Sequence, residues 1–109
     1  MGPSLSGLAF RAHKTASEKG FHEYKPTFGV PGQDTRHILS WLMLITTEIA
    51  EAAEAARKGN ITNFEEELAD VMIRLLDVCY ALEINIEAVV LHKMDINETR
   101  PHKHGGKLA

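Results

Sequence analysis

The sequence contains only one cysteine and no long hydrophobic run, and each of these two features excludes a class of protein. Cys79 alone excludes an intramolecular disulfide framework and is typical of a protein that works in a reducing interior. No segment approaches the roughly eighteen apolar residues that a membrane span requires. The N-terminal residues also lack the basic leader and apolar stretch of a signal peptide. The sequence therefore predicts a cytoplasmic protein without membrane contact.

The chain also has little net charge. Its 12 Lys and Arg residues against 15 Asp and Glu residues give a formal charge of −3, and the basic residues are dispersed until the C-terminal tail. A nucleic-acid-binding protein usually concentrates its basic residues in one patch, so we expect no nucleic-acid partner. A length of 109 residues is enough for one domain and too short for two, so we expect a single domain over residues 1–109.

Strand signals are nearly absent, and the apolar residues recur at helical spacing, so the fold class predicted is all-α. A segment with two prolines and three glycines, residues 20–33, reads as a long loop, and residues 101–109 form a basic tail after Pro101. Capping residues predict four helices, and their expected bounds are about 4–19, from 34 or 35 to 58, from 62 or 63 to about 82, and from 85 to 98 or 100.

The caps are predicted from side chains that accept hydrogen bonds at a helix start. Asp34 or Thr35 is expected to cap the second helix, and Asn85 the fourth. Asn63, followed by Glu66, resembles a capping box for the third helix.

The second and third helices carry apolar residues on more than one side. A helix in a small monomer usually shows one apolar stripe, and four short helices cannot cover several. The sequence therefore predicts a four-helix bundle completed by homo-oligomerisation, most simply as a two-fold dimer. The residues concerned are Ile38, Leu39, Trp41, Leu42, Met43, Leu44 and Ile45 in the second helix, and Leu68, Val71, Met72, Ile73, Leu75, Leu76, Val78 and Cys79 in the third.

Two pairs of carboxylates at i,i+3 spacing are the main candidates for chemistry. Glu48 and Glu51 share one face of the second helix, and Glu67 and Asp70 share one face of the third. If the two helices pack face to face, four carboxylates converge into a site suited to Mg²⁺ or Mn²⁺ and to triphosphate chemistry. The alternatives are a solvated helix face and, for Asp70, an intrahelical ion pair with Arg74.

Further candidates could bind the substrate. Lys93, Asn97 and Arg100 share one face of the fourth helix, where their two cations and one amide suit phosphate and sugar oxygens, unless they are simply solvated. Trp41 could stack on a nucleobase or belong to the core. The six histidines show no zinc spacing. The tail adds three further candidates beside two glycines, namely Lys103, His104 and Lys107.

These motifs together resemble the MazG-like, all-α nucleoside triphosphate pyrophosphohydrolase superfamily. The resemblance rests on TEIAEAAEAARKGN, on EEELADV and on the following K…N…R…HGGK pattern, and it covers residues 35–107. It implies an α-helical homodimer or dimer of dimers that hydrolyses an NTP or dNTP at the α–β bond to a nucleoside monophosphate and pyrophosphate. By this resemblance the metal ligands are Glu48, Glu51, Glu67 and Asp70, and the substrate contacts are Lys93, Asn97 and Arg100.

The chain departs from the family motif at one position. The fuller motif has a glutamate directly before the first ligand, where this chain has Thr47. If that glutamate orients the attacking water in other members, the candidates for the general base here are Glu51 and Glu67, unless a metal-activated water needs no separate base. Two alternatives stay open: a non-catalytic helical oligomeric binding module, and a related helical phosphohydrolase that resembles a dUTPase or a phosphoribosyl-ATP pyrophosphohydrolase.

Overall fold

A computed structural model describes residues 3–100 of the chain. Within this range the protein contains four α-helices and no strand, which confirms the all-α prediction. The helices are α1 (Leu5–Glu18), α2 (Gln33–Arg57), α3 (Ile61–Ala81) and α4 (Ile86–Glu98). No helix in the described part of the chain is long and apolar enough to cross a membrane.

Helix α3 is the central element. It packs against α1 and α2, and α4 lies against α1 and α3 with a smaller contact. A three-residue connection from Lys58 to Asn60 joins α2 to α3, which makes them antiparallel neighbours. Gly59 makes this turn possible because its φ is +70°, a conformation that residues with a Cβ adopt only with strain.

The caps of α3 and α4 are asparagine side chains. Asn85 Oδ1 accepts from the Ala88 amide at 3.2 Å, as predicted. The capping box predicted at Asn63 is wrong: Asn60 Oδ1 caps α3 by accepting from the Asn63 amide at 3.1 Å. The helix therefore begins at Ile61, slightly earlier than expected.

Helix α2 also begins earlier than predicted, and neither Asp34 nor Thr35 is its cap. It begins after Gly32, with no side-chain cap. Asp34 instead accepts hydrogen bonds from the Thr27 amide at 2.7 Å and from the Tyr24 hydroxyl. These two hydrogen bonds lower the pKa of Asp34, the Tyr24 hydroxyl having the larger effect. Asp34, which was predicted as a cap, therefore fastens the segment between α1 and α2. We call this segment, residues 19–32, the connector.

The core of the single chain is thin. Its buried apolar residues are mostly small or medium-sized: Ala9, Ile45, Ala52, Ala55, Leu76, Val78 and Cys79. Cys79 is 5% exposed, which confirms the prediction of a buried small hydrophobe, and burial raises the pKa of its thiol. The Cα radius of gyration is 16.3 Å, whereas a compact domain of about 100 residues has about 13 Å. The chain alone is therefore less compact than an ordinary domain of its length.

Candidate metal and nucleotide site

Two facing stripes on α2 and α3 position the candidate site. On α3, Glu67, Asp70, Arg74 and Asp77 follow one another at spacings of three or four residues, so they lie along one helix face. On α2 the small residues Ala52 and Ala55 are almost fully buried, at 4% and 2% exposed. Small side chains at a contact allow the two backbones to approach closely, which brings the neighbouring glutamates of α2 near the α3 stripe.

Three of the four predicted carboxylates meet between the two helices. Oxygen atoms of Glu48, Glu67 and Asp70 lie within 4.8 Å of one another. Asp70 is exposed and Glu67 is half-buried, while the Glu48 side chain is only 15% exposed. One Glu67 oxygen, Oε2, is buried and has no hydrogen-bond partner. We call Glu48, Glu67 and Asp70 the carboxylate cluster.

Glu51, the fourth predicted carboxylate, lies at the edge of this cluster. It is exposed and lines a small cavity of about 320 Å³ together with Glu67. Burial raises the pKa of Glu67 to about 7, and the adjacent carboxyl groups of Glu51 and Glu48 add to this increase. Glu67 is therefore protonated more readily than an ordinary carboxyl group, and a nearby cation would favour its charged form.

The donor set of the carboxylate cluster fits a hard divalent cation. All its donors are oxygens, the ligand type that Mg²⁺ and Mn²⁺ prefer. A buried acceptor without a partner, such as Glu67 Oε2, is costly unless something satisfies it, and a cation does so. The mutual repulsion of three close carboxylates is relieved in the same way.

A cation from the protein already contacts one member of the cluster. Arg74 Nε donates to Glu48 Oε1 at 2.9 Å. The ion pair between Asp70 and Arg74 that i,i+4 spacing allowed does not form, because the guanidinium reaches across to α2 instead. The side chains of Arg74 and Glu48 are 41% and 15% exposed, so the pair lies partly out of water.

Beside the carboxylate cluster lies a large cavity of about 850 Å³, formed by α1, the connector after it, α2 and α3. Its volume is within the range of small-molecule sites, roughly 300–1,000 Å³. Trp41 and His37 line it from α2, and Asp70 and Arg74 line it from α3. The Trp41 ring meets the His37 ring edge-on, with centroids 5.1 Å apart. The cavity thus joins an aromatic wall to a charged end.

A second polar cluster joins α1, the connector and α3 at the wall of this cavity. Asp77 Oδ1 lies 2.7 Å from His22 Nε2 and 3.0 Å from His13 Nδ1. The His22 side chain is 6% exposed and that of Asp77 is 17% exposed. The two imidazole rings lie with centroids 4.5 Å apart. These contacts hold the connector against the helices and fix one side of the cavity.

The predicted substrate-binding residues lie in different parts of the molecule. Trp41 lines the large cavity and is not part of a buried core. Lys93, Asn97 and Arg100 are exposed on or just after α4 and line neither of the two cavities, so their role stays a prediction. The tail residues Lys103, His104 and Lys107 lie outside the described residues.

Sequence reasoning missed three residues of the site: Arg74 as a partner of Glu48, and His22 and Asp77 as parts of the cavity wall. For Arg74 and Asp77 a signal was present, because both continue the helical spacing of Glu67 and Asp70 along α3. The contact of His22 with α3 had no such signal, because a loop residue 55 positions from Asp77 in sequence has no local pattern that reports it.

The chain is all-α, and its two central helices bring three carboxylates together beside a cavity of small-molecule size. The MazG nucleotide pyrophosphohydrolase domain matches residues 36–104. Because this match spans more than half of the chain, the protein belongs to the MazG family, which confirms the resemblance found in the sequence. The chain has no match among curated proteins or among solved structures.

Proposed function

We propose that the protein is a Mg²⁺-dependent nucleoside triphosphate pyrophosphohydrolase. It converts an NTP or dNTP and water into the nucleoside monophosphate and pyrophosphate. The observation that carries the proposal is the carboxylate cluster with its unpartnered Glu67 oxygen, at the charged end of a cavity of about 850 Å³. Membership of the MazG nucleotide pyrophosphohydrolase family supports the same reaction.

The metal would be held by Glu48, Glu67 and Asp70, and Mn²⁺ would substitute for Mg²⁺. Glu51 is the fourth candidate ligand, and it can act on water only where it stays off the metal. When bound, the cation neutralises charge on the triphosphate and polarises the α-phosphoryl group. The carboxylates hold it between α2 and α3, so that the phosphates are fixed relative to the cavity. Orientation of this kind accounts for much of the catalysis of phosphoryl transfer.

Glu51 is the better candidate for the general base. Thr47, which replaces the motif's additional glutamate, donates its hydroxyl to the Met43 carbonyl within α2 at 3.1 Å. Its side chain is therefore engaged away from the cluster. Glu51 is exposed and lies outside the three-membered cluster, next to Glu67. In the proposed step, water attacks the α-phosphorus, its proton passes to the Glu51 carboxylate, and the bond to the bridging oxygen of pyrophosphate breaks.

The nucleoside occupies the large cavity. Trp41 and His37 offer aromatic surfaces for a base, while Asp70 and Arg74 mark the end where phosphates meet the metal. The remaining candidates for contact with phosphate and sugar oxygens are the basic and amide side chains of the C-terminal part: Lys93, Asn97, Arg100, Lys103, His104 and Lys107.

We further infer that the active protein is a homodimer or a dimer of dimers. Exposed apolar side chains form stripes at helical spacing on α2, at Leu39, Leu42 and Met43, and on α3, at Leu68 and Leu75, and none of these lines the large cavity. Met43, for instance, is 63% exposed. A second copy that covers these stripes supplies the burial that the thin core lacks.

Hydrolysis in water enriched in ¹⁸O tests the proposed reaction directly. Attack at the α-phosphorus incorporates the label into the nucleoside monophosphate, and mass spectrometry detects it there. Label in pyrophosphate or in inorganic phosphate would contradict the proposed bond cleavage.

Two variants separate the enzyme from a non-catalytic module. Glu67→Gln and Asp70→Asn are expected to abolish hydrolysis and Mg²⁺ binding while leaving helical content unchanged. The control is Glu66→Gln, an exposed residue on the same helix. If the unaltered protein neither hydrolyses triphosphates nor binds Mg²⁺, the binding-module alternative replaces the proposal.

A further inference from the structure

Arg74 contacts both parts of the proposed site. Its Nε donates to Oε1 of Glu48, a member of the carboxylate cluster, at 2.9 Å. The same side chain lines the large cavity beside Asp70. Two other basic side chains also line the cavity, Arg11 on α1 and Lys19 just after it, but neither pairs with the cluster within residues 3–100.

The geometry of this contact leaves most of the guanidinium free. Only Nε is used by Glu48, and within the described range the terminal nitrogens of Arg74 donate to no protein acceptor. The side chain is 41% exposed and lines the cavity, so these terminal groups are open to a ligand there. A guanidinium carries five N–H donors in a fixed plane, and two parallel donors match two oxygens of one phosphate.

Glu48 likewise takes part in two interactions. Oε1 accepts from Arg74, while the carboxylate also belongs to the cluster proposed to hold the metal. One carboxylate can accept several hydrogen bonds or ligate a cation with its second oxygen. Arg74 can therefore keep its contact with Glu48 while a metal is bound.

We propose that Arg74 is a substrate-binding residue that links the metal ligand Glu48 to a phosphate of the nucleotide. Nε stays on Glu48 and fixes the plane of the guanidinium, and the terminal nitrogens donate to phosphate oxygens at the charged end of the cavity. This inference rests on the metal and the triphosphate of the proposed function, and it adds a residue that the acidic motif does not contain.

The proposal predicts opposite effects on the two ligands. In Arg74→Gln, the substrate loses a charge-assisted contact and binds about tenfold or more weakly. Mg²⁺ binds to the substrate-free variant at least as tightly as to the unaltered protein, because a positive charge beside the cluster has been removed. A residue with a purely structural role would weaken both ligands together.

The experiment is calorimetric titration of the full-length protein with Mg²⁺ or Mn²⁺ alone, and then with a triphosphate analogue whose α–β bridge is a methylene group. Arg74→Lys is the second variant. It keeps a positive charge near Glu48 but loses the planar fork, so we expect its analogue affinity to lie between those of the other two proteins. The matched control is Arg57→Gln, which removes an exposed arginine from an ion pair with Glu54.

Unchanged analogue affinity in Arg74→Gln, or a parallel loss of metal and analogue affinity, would overturn the role of Arg74. Either result leaves the proposed function standing if the unaltered protein still hydrolyses triphosphates. An unaltered protein that binds neither Mg²⁺ nor the analogue would overturn both proposals.

Discussion

Two electrostatic features of the site coincide at Glu67. One of its oxygens is buried without a partner, and burial and neighbouring carboxylates raise its pKa to about 7, from an ordinary value of 4.5. A raised pKa means that the folded protein binds this proton more tightly than the unfolded chain does. The stabilisation is complete below pH 4.5 and is lost as the pH rises through 7.

The first prediction concerns the stability of the metal-free protein. We expect Glu67→Gln to raise the melting temperature in EDTA, with a gain that grows from pH 5 to pH 8, because the variant never carries the unfavourable charge. Thermal unfolding followed by circular dichroism across this range measures it. Glu66→Gln, on the exposed side of α3, should show no such trend, and an equal gain at both pH values would contradict the assignment.

The second prediction concerns the metal. Because Mg²⁺ must displace the proton of Glu67, its stabilising effect should increase with pH and level off above about 7. The difference in melting temperature with and without millimolar Mg²⁺ reports it. A constant difference between pH 5 and pH 8 would show that Glu67 does not take part in binding.

At the scale of the helices, the sequence correctly predicted the type and the number of the secondary-structure elements, but it predicted their boundaries less accurately. The i,i+3 pairs Glu48/Glu51 and Glu67/Asp70 identified the helix faces that meet, because helical periodicity is a local property, although Glu51 lies at the edge of the cluster. The start of α2 was not predictable, since Asp34 satisfies the connector rather than its own helix. The partner of Arg74 was not predictable either, because Asp70 at i,i+4 and Glu48 on the neighbouring helix are both within reach of a long side chain.

The third prediction tests which asparagine begins α3. Asn60→Ala should destabilise the protein by about 1 kcal/mol, because the Asn63 amide loses its acceptor. Asn63→Ala should cost much less, since its side chain makes no capping contact in the structure. Chemical denaturation of the two variants side by side measures the difference, and the reverse order of stability would restore the capping box at Asn63.

The fourth prediction tests the contacts that hold the connector. Asp77→Asn should weaken both histidine contacts and increase amide exchange in α1 and in the connector around His22. Exchange in the hairpin of α2 and α3 near Gly59 should change little. Asp95→Asn, an exposed residue of α4, is the control. An equal increase in amide exchange in all helices of the variant would contradict a local role for Asp77.

At the scale of the whole molecule, residues 3–100 leave many large apolar side chains exposed. The radius of gyration is 16.3 Å, and leucines on α2 and α3 are exposed. Both follow from the small size of α1 and α4, which cannot cover the apolar faces of the two longer helices. The sequence predicted this shortage from the breadth of the apolar faces. It did not predict the geometry of an assembly, because the pairing of surfaces depends on shape rather than on local pattern.

The fifth prediction concerns that assembly. Light scattering after size exclusion should give a mass of at least twice the 12.1 kDa of the chain. Leu39→Glu combined with Leu42→Glu should reduce the mass or the stability of the oligomer, because two charges would enter an apolar contact. A mass of 12.1 kDa for the unaltered protein would contradict the inference.

The most direct test of the account is pyrophosphate release from a panel of canonical and damaged NTPs and dNTPs, in the presence of Mg²⁺, Mn²⁺ or EDTA. We expect a nucleoside monophosphate and pyrophosphate in equal amounts from at least one substrate with either metal, and no product in EDTA. Absence of turnover of every triphosphate with both metals, or turnover that EDTA does not affect, would contradict it.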